Sequence, residues 1–238
     1  MIISKTFTLD KNVGSGQSIS VPGASSVTNY PIVSRFIVDG LNDILANFNH
    51  HIEYNETTGQ AVLDGVTFYI VANLSNIQMY FRDNSEIGYN SIYASFSGNT
   101  KAYRMTATVR GDDQSFEIYI AAGLDLSNVS TMVGKYAVRR LSDGKILTAF
   151  RKNNSDGCFW VYEDGQFLEY SAVIKPATTY AYSSNTYSGY ALLPAVMTNF
   201  AYQLVNAFLY CPALQSGNHY TIAGINTVSV QSCVLLKC

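Results

Sequence analysis

The sequence predicts a mainly β fold, sandwich-like or barrel-like, in which antiparallel sheets carry one N-terminal amphipathic helix packed on them. Two observations predict it. After about residue 52, apolar and polar residues alternate with a period of two, which is typical of strands with two different faces. In addition, the pair Asp-Gly, which supplies the positive φ angles of tight hairpin turns, recurs between apolar stretches. It stands at 64–65, 143–144, 156–157 and 164–165.

The first half of the chain divides at a helix. Residues 1–29 are predicted to form an N-terminal arm, with a strand from Ile2 to Leu9 followed by a Gly-, Ser- and Asn-rich loop through Pro22-Gly23. A main β domain is predicted over residues 30–175, and it opens with a helix over 31–48. Pro31 suits the first helical turn, and apolar residues then recur at helical spacing. These apolar residues are Ile32, Val33, Phe36, Ile37, Leu41, Ile44, Leu45 and Phe48.

Strands are predicted after the helix wherever alternation is clearest. Met105 and Ala107 face one way while Arg104 and Thr106 face the other, and the turn at 111–113 leads into a strand that alternates in the same manner. The predicted strands lie at 61–73, 76–83, 101–110, 114–122, 145–150, 158–162 and 167–174. Residues 176–190 are predicted to be an exposed loop or linker, and 191–238 to supply closing strands. One domain is the preferred interpretation, with a second module beginning near 176 as the alternative.

The composition argues against several classes of partner. Charged residues make up 13% of the chain, about half of the ~25% that is usual for soluble domains. With a net charge of −2, the chain lacks the basic footprint that binding to nucleic acid or to an anionic membrane requires. The 18 tyrosines and the many Asn, Ser and Thr residues instead favour a weakly charged, partner-binding surface.

Targeting signals and cysteine motifs give no sign of secretion or metal binding. We expect no signal peptide, because residues 1–5 lead into a polar stretch without a positively charged segment followed by an apolar one. We also expect no transmembrane segment, because the apolar runs near 190–214 are interrupted by prolines and amides. The four cysteines share no C-x-x-C spacing, so reduced thiols are expected. A single bridge between Cys211 and Cys233 is the alternative.

Three groups of residues could suggest acid–base chemistry, and each has a structural explanation. His50-His51 with Glu53 follows the helix, where a histidine interacts well with the helix dipole. Two acidic groups could mimic the paired carboxylates of a glycosidase, but aspartates at hairpin turns are explained by turn chemistry. These groups are Asp112-Asp113 with Glu117, and Glu163-Asp164 with Glu169. We therefore predict a protein that is not an enzyme, with no catalytic, cofactor-binding or metal-binding residues.

Tyrosines concentrate in residues 89–103 and 180–190. Their rings could pack inside the sheets, contact another protein or stack on sugar rings, because an aromatic ring offers a large rigid contact area. The sequence leaves these three uses open.

Several short segments together resemble the small virion structural proteins of tailed bacteriophages, from the head, tail and baseplate region. They are residues 22–23, 30–33, 36–41, 97–104, 109–116, 217–224 and 234–237. The resemblance assigns no functional residue.

The resemblance implies a non-enzymatic subunit of the virion, made in the host cytoplasm. Such a subunit would assemble into the head-tail or tail apparatus through its exposed loops and N-terminal arm. The partners would be other virion proteins and copies of itself, with no nucleic acid and no membrane, and a glycan contact remains open. The alternative is a carbohydrate- or receptor-binding β module, for which coplanar exposed aromatic rings would be the distinguishing feature. A hydrolase would need two converging acids about 5–10 Å apart.

Overall fold

The structure is a computed structural model of the 238-residue chain. It describes residues 1–10, 12–22, 24–73, 76–81, 92–93, 102–122, 130–151, 158–172, 193–197, 201–209, 218–222, 224–231 and 234–238. The predicted loop at 176–190 and most of the tyrosine-rich segment 89–103 lie outside these residues. The predicted fold class is confirmed, because the described chain is mainly antiparallel β with one helix near its N-terminus.

Nineteen strands and one α-helix are described. The first part of the chain contains β1 (Ile2–Asp10), β2 (Gln17–Val21), β3 (Ala24–Asn29), α1 (Pro31–Leu45), a 3₁₀ turn (Ala46–Phe48), β4 (Ile52–Asn55), β5 (Gln60–Leu63), β6 (Val66–Ala72), β7 (Asn76–Phe81), β8 (Ile92–Tyr93) and β9 (Ala102–Gly111). The second part contains β10 (Phe116–Ala122), β11 (Ser130–Arg140), β12 (Ile146–Arg151), β13 (Cys158–Glu163), β14 (Gln166–Ala172), β15 (Leu193–Val196), β16 (Tyr202–Leu209), β17 (His219–Ile222), β18 (Ile225–Gln231) and β19 (Val234–Lys237).

The chain forms two compact units that do not follow its order. Unit 1 consists of residues 1–2, 110–117 and 134–238, and unit 2 consists of residues 3–109 and 118–133. Each unit is therefore assembled from more than one segment, because residues 110–117 of unit 1 interrupt unit 2, and residues 3–109 and 118–133 of unit 2 interrupt unit 1.

In unit 2 the predicted helix over 31–48 is confirmed as α1 and the 3₁₀ turn that follows it. Pro31 occupies the first turn, and the positive φ of Asn49 (61°) ends the helical segment. The helix packs against β4 and β6. Burying each large apolar side chain on this face contributes about 1.5–3 kcal/mol. The buried apolar side chains are Val33, Ile37, Val38, Leu41, Ile44, Leu45 and Phe48.

A side-chain amide fixes the helix to the next strand. Asn42 Nδ2 donates to the carbonyl oxygen of Ile52 at 2.9 Å, and Asn42 Oδ1 accepts from the Ile52 amide at 2.7 Å. These two bonds pair the amide with β4 as a neighbouring strand would. From β4 the sheet continues in the order β4-β5-β6-β7-β8, and each neighbouring pair is antiparallel.

Two local predictions for unit 2 are wrong. The predicted loop after Leu9 contains the β2–β3 hairpin, whose Ile19 and Val21 bury their side chains with Val71 of β6. The predicted strand over 61–73 is two strands, because Asp64 and Gly65 have φ angles of 50° and 78° and form a turn between β5 and β6. That turn confirms the Asp-Gly pair as a hairpin signal.

Unit 1 is built on one antiparallel sheet with the strand order β14-β13-β12-β11-β16-β19-β18-β17, and β15 also pairs with β16. Its core lies on one face of this sheet. The core residues are Tyr136, Val138, Leu147, Ala149, Phe159, Val161, Ala195, Met197, Tyr202, Leu204, Ala207, Val228, Val234 and Leu236. Within it, the rings of Tyr136 and Phe159 meet edge to face, with centroids 4.8 Å apart.

Candidate functional site

The acids considered as a catalytic pair near residue 112 have separate structural roles in unit 1. Asp112 Oδ1 accepts the amide protons of Gln114 and Ser115 at 2.9 and 2.8 Å, which closes the turn between β9 and β10. Its Oδ2 accepts from Asn206 Nδ2 at 2.8 Å. The turn interpretation of Asp112 is therefore confirmed.

Glu117 was grouped with that turn, but it lies in a buried charge cluster. Its side chain is fully buried, and Arg151 Nε lies 3.0 Å from Glu117 Oε1. The hydroxyl of Tyr136, which is also fully buried, donates to the same carboxylate oxygen. The guanidinium balances the charge of this carboxylate, and the two contacts together fix its position. The arrangement is typical of a structural ion pair.

The second acidic group ties two hairpin turns of unit 1 together. Arg140 donates to Asp143 Oδ2 at 2.5 Å and to Glu163 Oε2 at 2.8 Å, and Lys145 also binds Glu163. The Lys145 ammonium lowers the pKa of Glu163 through its hydrogen bond, and the Arg140 guanidinium lowers the pKa of Asp143 to about 2. Asp164 forms part of the β13–β14 turn, with a φ of 48°. The side chain of Glu169 lies outside the described part.

The histidine group is not brought together as a site. Nδ1 of His50 lies 2.9 Å from Asp64 Oδ1 in the β5–β6 turn, whereas His51 and Glu53 are exposed. Within the described ranges, no group of three or more His, Cys, Asp or Glu side chains could hold a metal ion. Cys238 is a free thiol, while Cys211 and Cys233 lie outside the described residues.

The feature of unit 1 that best suits binding is the sheet face opposite the core. Alternation indicates which residues of one strand share a face, but the register of the paired strands brings these residues together. We call this sheet face the aromatic face and define it by Ile146, Trp160, Tyr162 and Phe167. The register pairs Phe150 with Trp160 and Thr148 with Tyr162, which places the even-numbered residues of β12 and β13 on this face. Leu147, Ala149, Phe159 and Val161 point to the core instead.

The aromatic face is open at one end. Ile146 is 52% exposed, and the three aromatic side chains are half-buried. Leu168, at the β-bulge beside Phe167, is 44% exposed. Towards the other end of the same face, Phe150 is buried. Exposed and half-buried apolar side chains concentrate at the end of the face near Ile146 and Phe167. That end therefore has the composition of an interface centre.

The three rings of this face are not coplanar. The Phe167 ring is tilted by 68° from that of Trp160 and by 64° from that of Tyr162, with centroids 6.3 and 5.2 Å apart. Such edge-to-face packing gives a ridged surface. A sugar ring stacks on a flat aromatic surface, so this geometry suits apolar side chains of a partner better.

Charged side chains border the open end. Arg139 is exposed and pairs with Ile146 in the ladder between β11 and β12. The Arg140–Asp143–Lys145–Glu163 network lies at the turns that end the same strands. An apolar centre with a charged rim is the usual arrangement of a protein interface.

No helix in the described part of the chain is long and apolar enough to cross a membrane. Comparisons of the chain with protein-family models, with curated proteins and with solved structures find no match.

Proposed function

We propose that this protein is a non-enzymatic structural subunit of a tailed-phage virion, which assembles into the head-tail or tail apparatus through protein–protein contacts. The observation that supports it best is the aromatic face, where Ile146 is exposed beside tilted, half-buried rings, with the exposed Leu168 next to Phe167 at the bulge. Monomeric surfaces seldom group large apolar side chains in this way without a binding role.

The state of the carboxylates also supports a role without catalysis. Asp112, Glu117 and Glu163 each accept hydrogen bonds that fix a turn or a strand pair. A general acid or base must be able to reach a substrate proton, and a carboxylate that is fully buried against an arginine does not. The low charge of the chain is consistent with a subunit whose surface is completed by its neighbours.

The first test is mass spectrometry of phage-sized particles purified from a lysed or induced culture of the source. We expect this chain at a fixed ratio to the capsid and tail proteins. If complete particles form without it, the virion assignment is refuted, and glycan binding should then be screened.

The second test asks whether the aromatic face makes the contact. In particles produced with the double variant Ile146→Ser and Leu168→Ser, we expect incorporation to fall more than about tenfold, because each lost apolar contact is worth about 1.5–3 kcal/mol when buried. Ile225→Ser, the same replacement at a half-exposed position in β18, is the matched control. Circular dichroism of each purified variant separates loss of folding from loss of assembly. Normal incorporation of the folded double variant would show that this face is not the contact.

A further inference from the structure

Unit 2 contains a groove that the proposal above does not use. It runs between β1 and α1 and has a volume of about 370 Å³. Its apolar lining comes from Phe7 and Leu9 of β1 and from Ile32 and Phe36 of α1. This volume is near the lower end of the range for ligand sites, about 300–1,000 Å³, and leaves room for one large apolar group.

A glycine allows the strand and the helix to approach closely beside this groove. A Cβ atom added to Gly40 would lie 3.1 Å from the Phe7 ring and 2.8 Å from Met105 Cε. Because this close approach holds Phe7 against the helix, the groove is formed before any ligand arrives. A preformed groove binds without the loss of conformational freedom that ordering a surface requires.

The charges at the groove are unequal. Arg35 lines it, but its Nε lies 3.3 Å from Glu56 Oε2 and its Nη2 donates to the carbonyl oxygen of Tyr54 at 3.1 Å. The guanidinium also lies over the Tyr54 ring, 5.2 Å from its centroid. Asp39, one turn further along the helix, is exposed and makes no ion pair with the described residues. The groove therefore carries one uncompensated negative charge.

The neighbouring strand offers backbone groups as well. β1 stands at the end of its sheet, with β9 as its neighbour among the strands that the structure describes. The outer edge of such a strand presents amide and carbonyl groups to which an extended peptide can add as a further strand. A small molecule would use the apolar lining and the charge, but only a peptide would use this edge too.

We propose that this groove binds an extended segment of another protein, which places an apolar side chain between β1 and α1 and a lysine or arginine against Asp39. Side chains two positions apart in an extended segment point to the same side, so the basic residue lies two positions from the apolar one. This proposal stands independently of the virion assignment, because it concerns unit 2 alone and can be tested on the isolated full chain.

The test uses blocked pentapeptides titrated into the ¹⁵N-labelled protein, with the amide signals of Leu9, Phe36 and Gly40 as the readout. The probes are Thr-Phe-Thr-Lys-Thr and its two relatives with Gln or Glu in place of Lys. We expect the Lys peptide to bind about two- to fivefold more tightly than the Gln peptide, the usual size of an exposed charge contact, and the Glu peptide to bind most weakly. The difference should shrink at high salt.

Two variants locate the charge that is recognised. Asp39→Asn should remove the preference for Lys over Gln and leave the affinity for the Gln peptide unchanged. Glu53→Gln removes one negative charge from an exposed position of β4 that does not line the groove, and it should leave the preference intact. Amide spectra of both variants report whether unit 2 remains folded.

Three results would overturn the proposal. They are equal affinity for the Lys and Glu peptides, absence of shifts at the groove signals under the highest peptide concentration, and binding of phenethylamine as tightly as the Lys peptide. The last result would mean that the groove recognises a small amphiphilic amine rather than a peptide.

Discussion

Replacement of Glu117 by Gln tests the buried ion pair of unit 1. The carboxylate is fully buried, and the Arg151 side chain, 8% exposed, has its Nε at 3.0 Å. At this separation two unit charges attract by about 5.5 kcal/mol if the effective dielectric constant is about 20. Glu117→Gln removes this attraction and leaves a buried guanidinium facing a neutral amide. Breaking a buried pair from one side is expected to lower the free energy of unfolding by about 3–5 kcal/mol.

The assay is urea denaturation followed by near-ultraviolet circular dichroism, with Lys5→Gln as the control. Lys5 and Asp43 form a pair of similar length, 2.7 Å, but their side chains are 43% and 53% exposed. Solvent screens such a pair, so this variant should lose less than about 1 kcal/mol. If both variants lose the same small amount, burial does not strengthen the Glu117 contact and the reasoning is refuted.

A double variant separates the charge from the packing. Glu117→Gln combined with Arg151→Met removes both charges and keeps much of the side-chain volume. We expect it to be more stable than Glu117→Gln alone, because no uncompensated charge then remains buried. If the stability that the double variant loses equals the sum of the losses in Glu117→Gln and Arg151→Met measured separately, the side chains contribute through packing and not through their charges.

Two further predictions concern the turns of unit 1. Gly111→Ala should destabilise the protein by about 3 kcal/mol or more, because φ is 134° and the new Cβ would lie 2.1 Å from the carbonyl oxygen of Ser115. Gly144→Ala, at a φ of 74° with open space around the new Cβ, should lower the stability by only about 1–2 kcal/mol. Equal shifts of the melting temperature in the two variants would contradict this prediction. In Arg140→Gln the pKa of Asp143 should rise from about 2 towards its ordinary value near 3.9, as carboxyl NMR titration would show. Since the folded-state pKa is depressed, the Asp143 contact stabilises the native protein above that ordinary value and is lost as the pH falls towards 2. An unchanged pKa in the variant would exclude Arg140 as the cause.

Features that depend on neighbours in the sequence were predictable. The helix over 31–48 follows from apolar spacing and from Pro31, and the Asp64-Gly65 turn follows from the φ angles that this pair tolerates. The hairpin β2–β3 was missed because its sequence is rich in Ser, and the apolar residues that it buries among the described side chains, Ile19 and Val21, are too few to give a strong alternation.

Features that depend on distant pairing were not predictable. Alternation in β10 points Phe116 and Ile118 to one face, which suggests a polar environment for Glu117 and Tyr119 on the other face. The structure buries both of these residues as well. The tertiary contacts with Arg151 and Tyr136 explain why a carboxylate is stable there, and nothing local to β10 indicates them. The aromatic face likewise depends on the register of β12, β13 and β14, which alternation does not specify.

The buried side chain of Asn29 joins two sheets of unit 2 that share no ladder. Its Oδ1 accepts the Ala72 amide proton at 3.1 Å, while the adjacent Tyr30 amide donates to the Ala72 carbonyl oxygen at 2.7 Å. Since Asn29 ends β3 and Ala72 ends β6, the hairpin cannot detach without breaking both bonds and uncovering Val71. In hydrogen-exchange terms, the hairpin β2–β3 and strand β6 should then open as a single cooperative segment, and the Ala72 amide should exchange as slowly as the centre of its strand.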